Sequence, residues 1–297
     1  MTTLPRRAMG RLLRELRVRA DSTQLAASRI LEISKQGVGR LEDGQSIRMT
    51  TAQLKELLDY YDADEQSRAE VLQLWSEVKE ARLQTSGRQG AWWKAYADTF
   101  AANFDHYLAL EEAADQVTTF QLTLLPGLLQ TAGYRRAVIH TSSPGISAVD
   151  TERRIELVMR RQARLREDAD SFKLNVLLSE LALRLPIGTL EVREEQLRHL
   201  AEIGRLPNVS IRVIPLGVAD YPGLVIGSFS LLAFPLQEST RLNEPPMVFV
   251  DGHEGALFLD DEGAIVRYQA ALADMATLAL DEQESGNLIL DIAENLR

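Results

Sequence analysis

Lys35, Gln36 and Arg40 follow closely on Ser34. An ammonium, an amide and a guanidinium so placed carry the donors and acceptors that read base edges in a DNA groove. Arg40 can reach a base or a phosphate. Upstream, Thr23 and Gln24 can clasp a phosphate through backbone N–H groups at a helix start and the Gln amide. Gly37 and Arg48 complete the candidate DNA-contacting set. Elsewhere, Trp92, Trp93 and Tyr96 can form a ligand cage or a base-stacking platform. They serve equally as a hydrophobic anchor, since aromatics dominate core burial. Asp251, His253 and Glu254, with Asp260 and Asp261 downstream, can hold a metal or an acid–base pair, or form a polar turn between two short strands.

Other chemistry has little to work with. There is no Cys, so disulfides, thiolate catalysis and Cys-based zinc sites are excluded. The four His residues, His106, His140, His199 and His253, show no metal spacing. The Gly-x-Ser-x-Gly hydrolase elbow is absent. No catalytic residue, metal or cofactor is expected, and the chain reads as a binding protein rather than an enzyme.

The elements that must position these residues follow from periodicity. Leu12, Leu13 and Leu16 mark a helix over Ala8–Arg19. Asp21 or Ser22 is expected to cap a second helix that buries Ala27, Ile30 and Leu31. Glu32 and Ile33 make a tight turn, Ser34 caps a third helix containing Val38 and Leu41, and Asp43-Gly44 ends it. Leu54, Leu57, Leu58 and Tyr61 mark a fourth helix; Val71, Leu72, Trp75 and Val78 mark a fifth. Two short helices joined by a tight turn form a helix-turn-helix, whose second helix fits the major groove.

The helix-turn-helix of the Cro and cI repressor type is what these residues resemble. The resemblance covers about residues 8–61 and rests on Thr23-Gln24, Ile33-Ser34 and the run from Val38 to Gly44. It departs from the pattern at Glu32, where the family has Gly, and at Ala27-Ser28, where it has Leu-Ala. Gly37 and Gly39 inside the third helix cost about 1 kcal/mol each relative to Ala.

Composition at first opposes that reading. The 297 residues carry a net charge of −10, and DNA repels acidic proteins. The average hides an asymmetry. Residues 1–48 hold ten basic and five acidic side chains, so they carry +5 and residues 49–297 carry −15. A basic head on an acidic body suits a polyanionic partner, although a solvated helix face gives the same count. Hydrophobic residues make up 45%, enough for a core. No apolar run is long enough to span a membrane, and no secretory signal is recognisable, so a cytoplasmic protein without membrane contact is expected.

Residues 85–90 are polar and Gly-containing and read as a linker. The expected organisation is a mainly α helix-turn-helix domain of about five helices over 1–84, then an α+β domain over 91–297 with one mixed sheet covered by helices. In that second domain helices are expected over Phe104–Ala114, Thr131–His140, Thr151–Arg166, Glu191–Gly204, Ala264–Leu278 and about Asp281–Asn295. Strands are expected over Phe172–Leu178, Val209–Ile214, Ser228–Phe234, Met247–Val250 and Ala256–Leu259. The Arg-rich helix from Glu152 to Arg166 reads as a solvated face with Arg–Glu pairs, or as a second nucleic-acid patch.

The strings Pro126 to Thr131 with Tyr134, Glu180 to Gly188, Pro207-Asn208-Val209, Ile214-Pro215, and Gly227-Ser228-Phe229 leading to Phe234-Pro235 occur in order after Trp92-Trp93 and Tyr96. Together they resemble the C-terminal domain of actinomycete helix-turn-helix regulators described as toxin–antitoxin-like antitoxins, over about residues 91–291. That resemblance implies a transcriptional regulator encoded beside a small acidic or polar partner protein. Two readings remain open. One is a sequence-specific regulator of double-stranded DNA, a homodimer whose C-terminal domain receives a protein or small-molecule signal. The other is an antitoxin-like protein-binding module whose DNA binding is mainly autoregulatory.

Overall fold

The computed structural model describes residues 4–84, 96, 104–236, 243–252 and 255–296. The linker at 85–90, Trp92 and Trp93, and His253 and Glu254 lie outside the described residues. The fold has the expected class: a helical N-terminal region followed by α+β structure built on a six-stranded mixed sheet. Two compact units form. The first takes in residues 4–84, 105–113, 235–236 and 243–244; the second takes in 96, 104, 114–234, 245–252 and 255–296.

Five helices open the first unit: α1 (Leu4–Arg19), α2 (Gln24–Ile30), α3 (Lys35–Glu42), α4 (Thr51–Tyr60) and α5 (Glu65–Gln84). Leu12, Leu13 and Leu16 of α1 bury one stripe against Leu31, Val38, Leu41, Leu54, Leu57, Leu58, Val71 and Val78. Burial of so many aliphatic side chains, at about 1.5–3 kcal/mol each, is what holds these short helices together. Helices α1 and α3 approach closely. A Cβ on Gly10 would stand 2.5 Å from the carbonyl oxygen of Glu42, so only glycine fits there.

Capping differs from expectation at one end. Thr23, not Asp21 or Ser22, caps α2, its hydroxyl accepting from the Ala26 N–H at 3.1 Å. Asp21 is in the left-handed region at φ 48°, and a cap needs extended backbone. Ser34 caps α3 as expected, accepting from the Gly37 N–H at 3.0 Å. Thr50 and Gln53 form a capping box on α4, and the Gln53 amide also donates to the Leu31 carbonyl at 3.0 Å. Gly44, at φ 70°, turns the chain after α3.

The α2–α3 turn carries a conformational strain. Glu32 sits at φ 53°, where a side chain costs roughly 1–2 kcal/mol and glycine costs nothing. Glu32→Gly is therefore expected to stabilise the first unit by about 0.5–1 kcal/mol, the extra freedom of an unfolded glycine offsetting part of the gain. Thermal unfolding reads this directly, and a lower melting temperature would contradict it.

Helix α6 (Phe104–Ala113) lies in the first unit except for Phe104. A segment from far along the chain completes that unit. Arg7 and Arg11 both donate to the Glu244 carboxylate, and Arg11 Nη2 donates to the Asn243 carbonyl at 2.9 Å.

The second unit is organised by strands β1 (Gln116–Gln121), β2 (Lys173–Ser179), β3 (Val209–Ile214), β4 (Phe229–Ala233), β5 (Met247–Gly252) and β6 (Gly255–Leu259). Their order is β3-β2-β1-β4-β5-β6. The β1–β2 and β2–β3 pairs are parallel; β1–β4, β4–β5 and β5–β6 are antiparallel. Strand β1, at the centre, was not expected from the sequence. Only Val117 and Phe120 are apolar within it, three apart, which breaks the alternation that marks a strand. Its polar Thr119 is buried because the hydroxyl donates to the Phe229 carbonyl at 2.9 Å and accepts from Ser230.

Helices α7 (Ala132–Ser142), α8 (Ala148–Gln162), α9 (Arg164–Glu167), α10 (Glu180–Arg184), α11 (Leu190–Ile203), α12 (Gly223–Ile226), α13 (Glu262–Leu278) and α14 (Glu282–Glu294) accompany the sheet. The single helix expected over Thr151–Arg166 is two, because the Ala163 N–H bonds back three residues to Arg160 and tightens the ladder. Phe120, Tyr221, Phe229, Leu272 and Met275 form the core under α13.

Candidate nucleic-acid interface

Thr23 and Gln24 open α2, and Ser34 with Lys35, Gln36, Gly37 and Arg40 form the start and outer face of α3. Ser34, Lys35, Gln36, Arg40 and the nearby Arg48 are all exposed. Gln36 and Arg40, four apart, share one helix face. Two of the sequence candidates stand differently. Gly37 is buried, packs against Ile33, and spends its N–H on the Ser34 cap. Gln24 donates its amide to Glu42 Oε2 at 3.0 Å, so the side chain ties α2 to α3.

Glu42 is the hub of this end of the unit. It is 3% exposed and accepts from Arg17 Nε at 2.5 Å and Arg17 Nη2 at 3.2 Å, with Arg14 Nε at 3.5 Å. Its hydrogen bond holds the Arg17 guanidinium above the ordinary arginine range, against the opposing effect of burial. Arg17 Nη1 also donates to the Ser22 carbonyl at 2.9 Å, which fixes the loop leading into α2. One carboxylate thus joins α1, α2 and α3.

That network sorts the basic head. Arg7 and Arg11 pair with Glu244, Arg14 with Asp43 at 2.6 Å, Arg17 with Glu42, and Arg19 with Glu15 and Asp64. Five of the six α1 arginines therefore have carboxylate partners within the unit. Arg29, Lys35, Arg40 and Arg48 are exposed and have no carboxylate partner among the described residues. They come from α2, from α3 and from the segment that follows it. Arg29 was not among the sequence candidates; the structure places it exposed on α2 with this group.

The other sequence candidates acquire structural roles where they are described. Tyr96 is 6% exposed, and burial together with its interaction with Glu156 raises its phenol above the usual tyrosine range. Asp261 caps α13, accepting from the Ala264 N–H at 3.0 Å. Among the described residues no group of three potential ligands could hold a metal ion. No helix among them is long and apolar enough to cross a membrane.

Two family models match the chain. A helix-turn-helix domain matches residues 8–71. A domain of unknown function, DUF5753, matches residues 104–291. No curated protein and no solved structure matches.

Proposed function

The chain belongs to the DUF5753 family, and we propose that it is a sequence-specific transcriptional regulator that reads the major groove of double-stranded DNA with α3. The helix-turn-helix domain marks a DNA-binding regulator. The observation that carries the finer reading is the sorting of charge. Within residues 4–48, five arginines of α1 pair with carboxylates of the unit, whereas the cations with no carboxylate partner among the described residues come from α2, α3 and the segment after it.

In this reading Lys35 and Gln36 address base edges from the first turn of α3. Arg40, Arg48 and Arg29 contact phosphates. Thr23 contributes the start of α2, and Ser34 holds the first turn of α3 in shape. Gln24 acts through Glu42, keeping α2 and α3 at a fixed angle. The few unpaired cations of one small unit give limited affinity, so the protein acts as a homodimer on half-sites about 34–36 Å apart. The second unit receives the signal that sets DNA affinity, and the protein works in the cytoplasm.

The test is immunoprecipitation of the protein with sequencing of bound DNA. A recurring motif with inverted symmetry is the expected result. Recovery of DNA without any recurring motif would overturn sequence-specific reading.

A further inference from the structure

Strand β3 is an edge of the sheet, with β2 on one side and no strand on the other. In a parallel pair, alternate residues turn their backbone groups toward the neighbouring strand. Asn208 belongs to the set facing β2, since its carbonyl accepts from the Leu174 N–H at 2.9 Å. Val209, Ile211 and Val213 therefore turn theirs outward. Val213 is satisfied there: its N–H donates to the Ser285 hydroxyl at 2.9 Å, and its carbonyl accepts from the Leu280 N–H at 2.9 Å. The Val209 N–H donates to the Leu206 carbonyl at 3.1 Å. Ile211 is different. It is buried, yet no hydrogen bond of the described residues reaches its outward N–H or C=O.

Ile211 walls a groove of about 310 Å³, together with Leu200 and Ala201 of α11 and Gly286, Ile289 and Leu290 of α14. Small-molecule pockets begin at about 300 Å³. Ser210 Oγ donates to Glu282 Oε1 at 2.6 Å and ties the first turn of α14 to β3 beside the groove. Gly286 follows Ser285 within α14, where glycine is the poorest helix former after proline. A Cβ there would meet nothing within 4 Å, so no protein neighbour demands glycine. The missing side chain leaves the groove open beside the β3 edge.

Buried backbone N–H and C=O groups are nearly always paired. An occupant that pairs both groups of Ile211 must offer an acceptor and a donor side by side. An extended peptide would do so through successive outward positions of β3. Val213 is already taken, and so is the Val209 N–H. A single trans amide points its N–H and C=O to opposite sides. A lactam ring holds its amide cis, so both groups point the same way. The aliphatic walls suit the hydrocarbon part of such a ring.

We propose that this groove binds a small apolar molecule through a cis-amide of the lactam kind, paired with the Ile211 N–H and C=O. The site rests on the reading of the second unit as a signal receiver only for its regulatory meaning. Its binding test contains no DNA, so either can fail without the other.

The probe is ε-caprolactam, added to the full chain. Calorimetry should show saturable binding, and thermal unfolding a rising melting temperature, because a ligand that binds only the native state stabilises it. N-methylcaprolactam, which lacks the donor for the Ile211 carbonyl, should bind at least about tenfold more weakly. Gly286→Leu, which fills the groove, should weaken caprolactam binding at least about tenfold. Its melting temperature without ligand should equal or exceed that of the wild type, since leucine is the better helix former and the space is empty. That combination separates a binding wall from a structural position, whose change lowers stability. Should Gly286→Leu not fold, Ala201→Leu on the opposite wall is expected to show the same loss of binding. No caprolactam binding, equal binding of the N-methyl compound, or equal binding by the groove-filled variant and the wild type would overturn the proposal.

Discussion

Glu42→Ala is expected to cost the first unit about 3–5 kcal/mol, the usual cost of removing one partner of a buried ion pair. The Glu42 carboxylate is 3% exposed and accepts from Arg17 and from the Gln24 amide. Its removal strands the Arg17 guanidinium, whose side chain is only 15% exposed, beside the buried Tyr61. It also frees α2 from α3, because the Gln24 tie ends on the same carboxylate. Urea unfolding followed by far-UV circular dichroism measures the loss. A change below about 1 kcal/mol would show that the network adds little and that apolar packing alone orients α3. A Glu42→Ala/Arg17→Met double variant should recover part of the stability, as removing both charges is far cheaper than removing one.

Replacing Lys35, Gln36 and Arg40 together with Ala is expected to act oppositely, sparing the fold and removing specific binding. All three side chains are exposed and make no ion pair among the described residues. Surface changes of this kind fall within about 0.5 kcal/mol of neutral in stability. A good base contact is worth about 1–3 kcal/mol of discrimination. Losing two therefore weakens binding to the specific site by about 2–6 kcal/mol, which erases its preference over unrelated duplex. Competition binding with specific and scrambled duplexes reads the change. A folded triple variant that discriminates as the wild type does would remove α3 from the reading role.

Much of the helix-turn-helix was legible in the sequence because its signals are local. Ser34 followed by an apolar pair at Val38 and Leu41, then Asp43-Gly44, states where α3 starts and stops within ten residues. The α2 cap was less legible, since Asp21, Ser22 and Thr23 are all competent caps. Asp21 is left-handed, whereas Thr23 has extended backbone and its hydroxyl accepts from the Ala26 N–H. The charge asymmetry of the first 48 residues was visible, but its meaning was not. Arg17 meets Glu42 across 25 residues and Arg7 meets Glu244 across 237, and no periodicity reports a contact at that separation. Counting charge could not show that five of the α1 arginines already face carboxylates of the same unit.

In the second unit the strands that were read correctly are the ones with dense aliphatic runs, such as Val209–Ile214. Strand β1 was missed although it is central, because hydrogen bonds rather than apolar side chains make Thr119 tolerable there. The short helices α10 and α12 were also missed; at five and four residues they carry no period to detect. The Arg-rich α8 was expected to face solvent with Arg–Glu pairs. Arg136–Glu152, at 2.7 Å, is such a surface pair. Arg161 instead turns inward, which only its packing against Gly127 and Phe104 reveals.

The central claim is that α3 enters the groove of the DNA that the protein selects. A photo-cross-linking amino acid at position Gln36, in the full chain bound to its selected duplex, tests this at one residue. Cross-links to bases within the recurring motif are expected, and none from the same probe at Arg198 on α11. Cross-linking from Arg198 with none from Gln36 would place the DNA elsewhere and contradict the account.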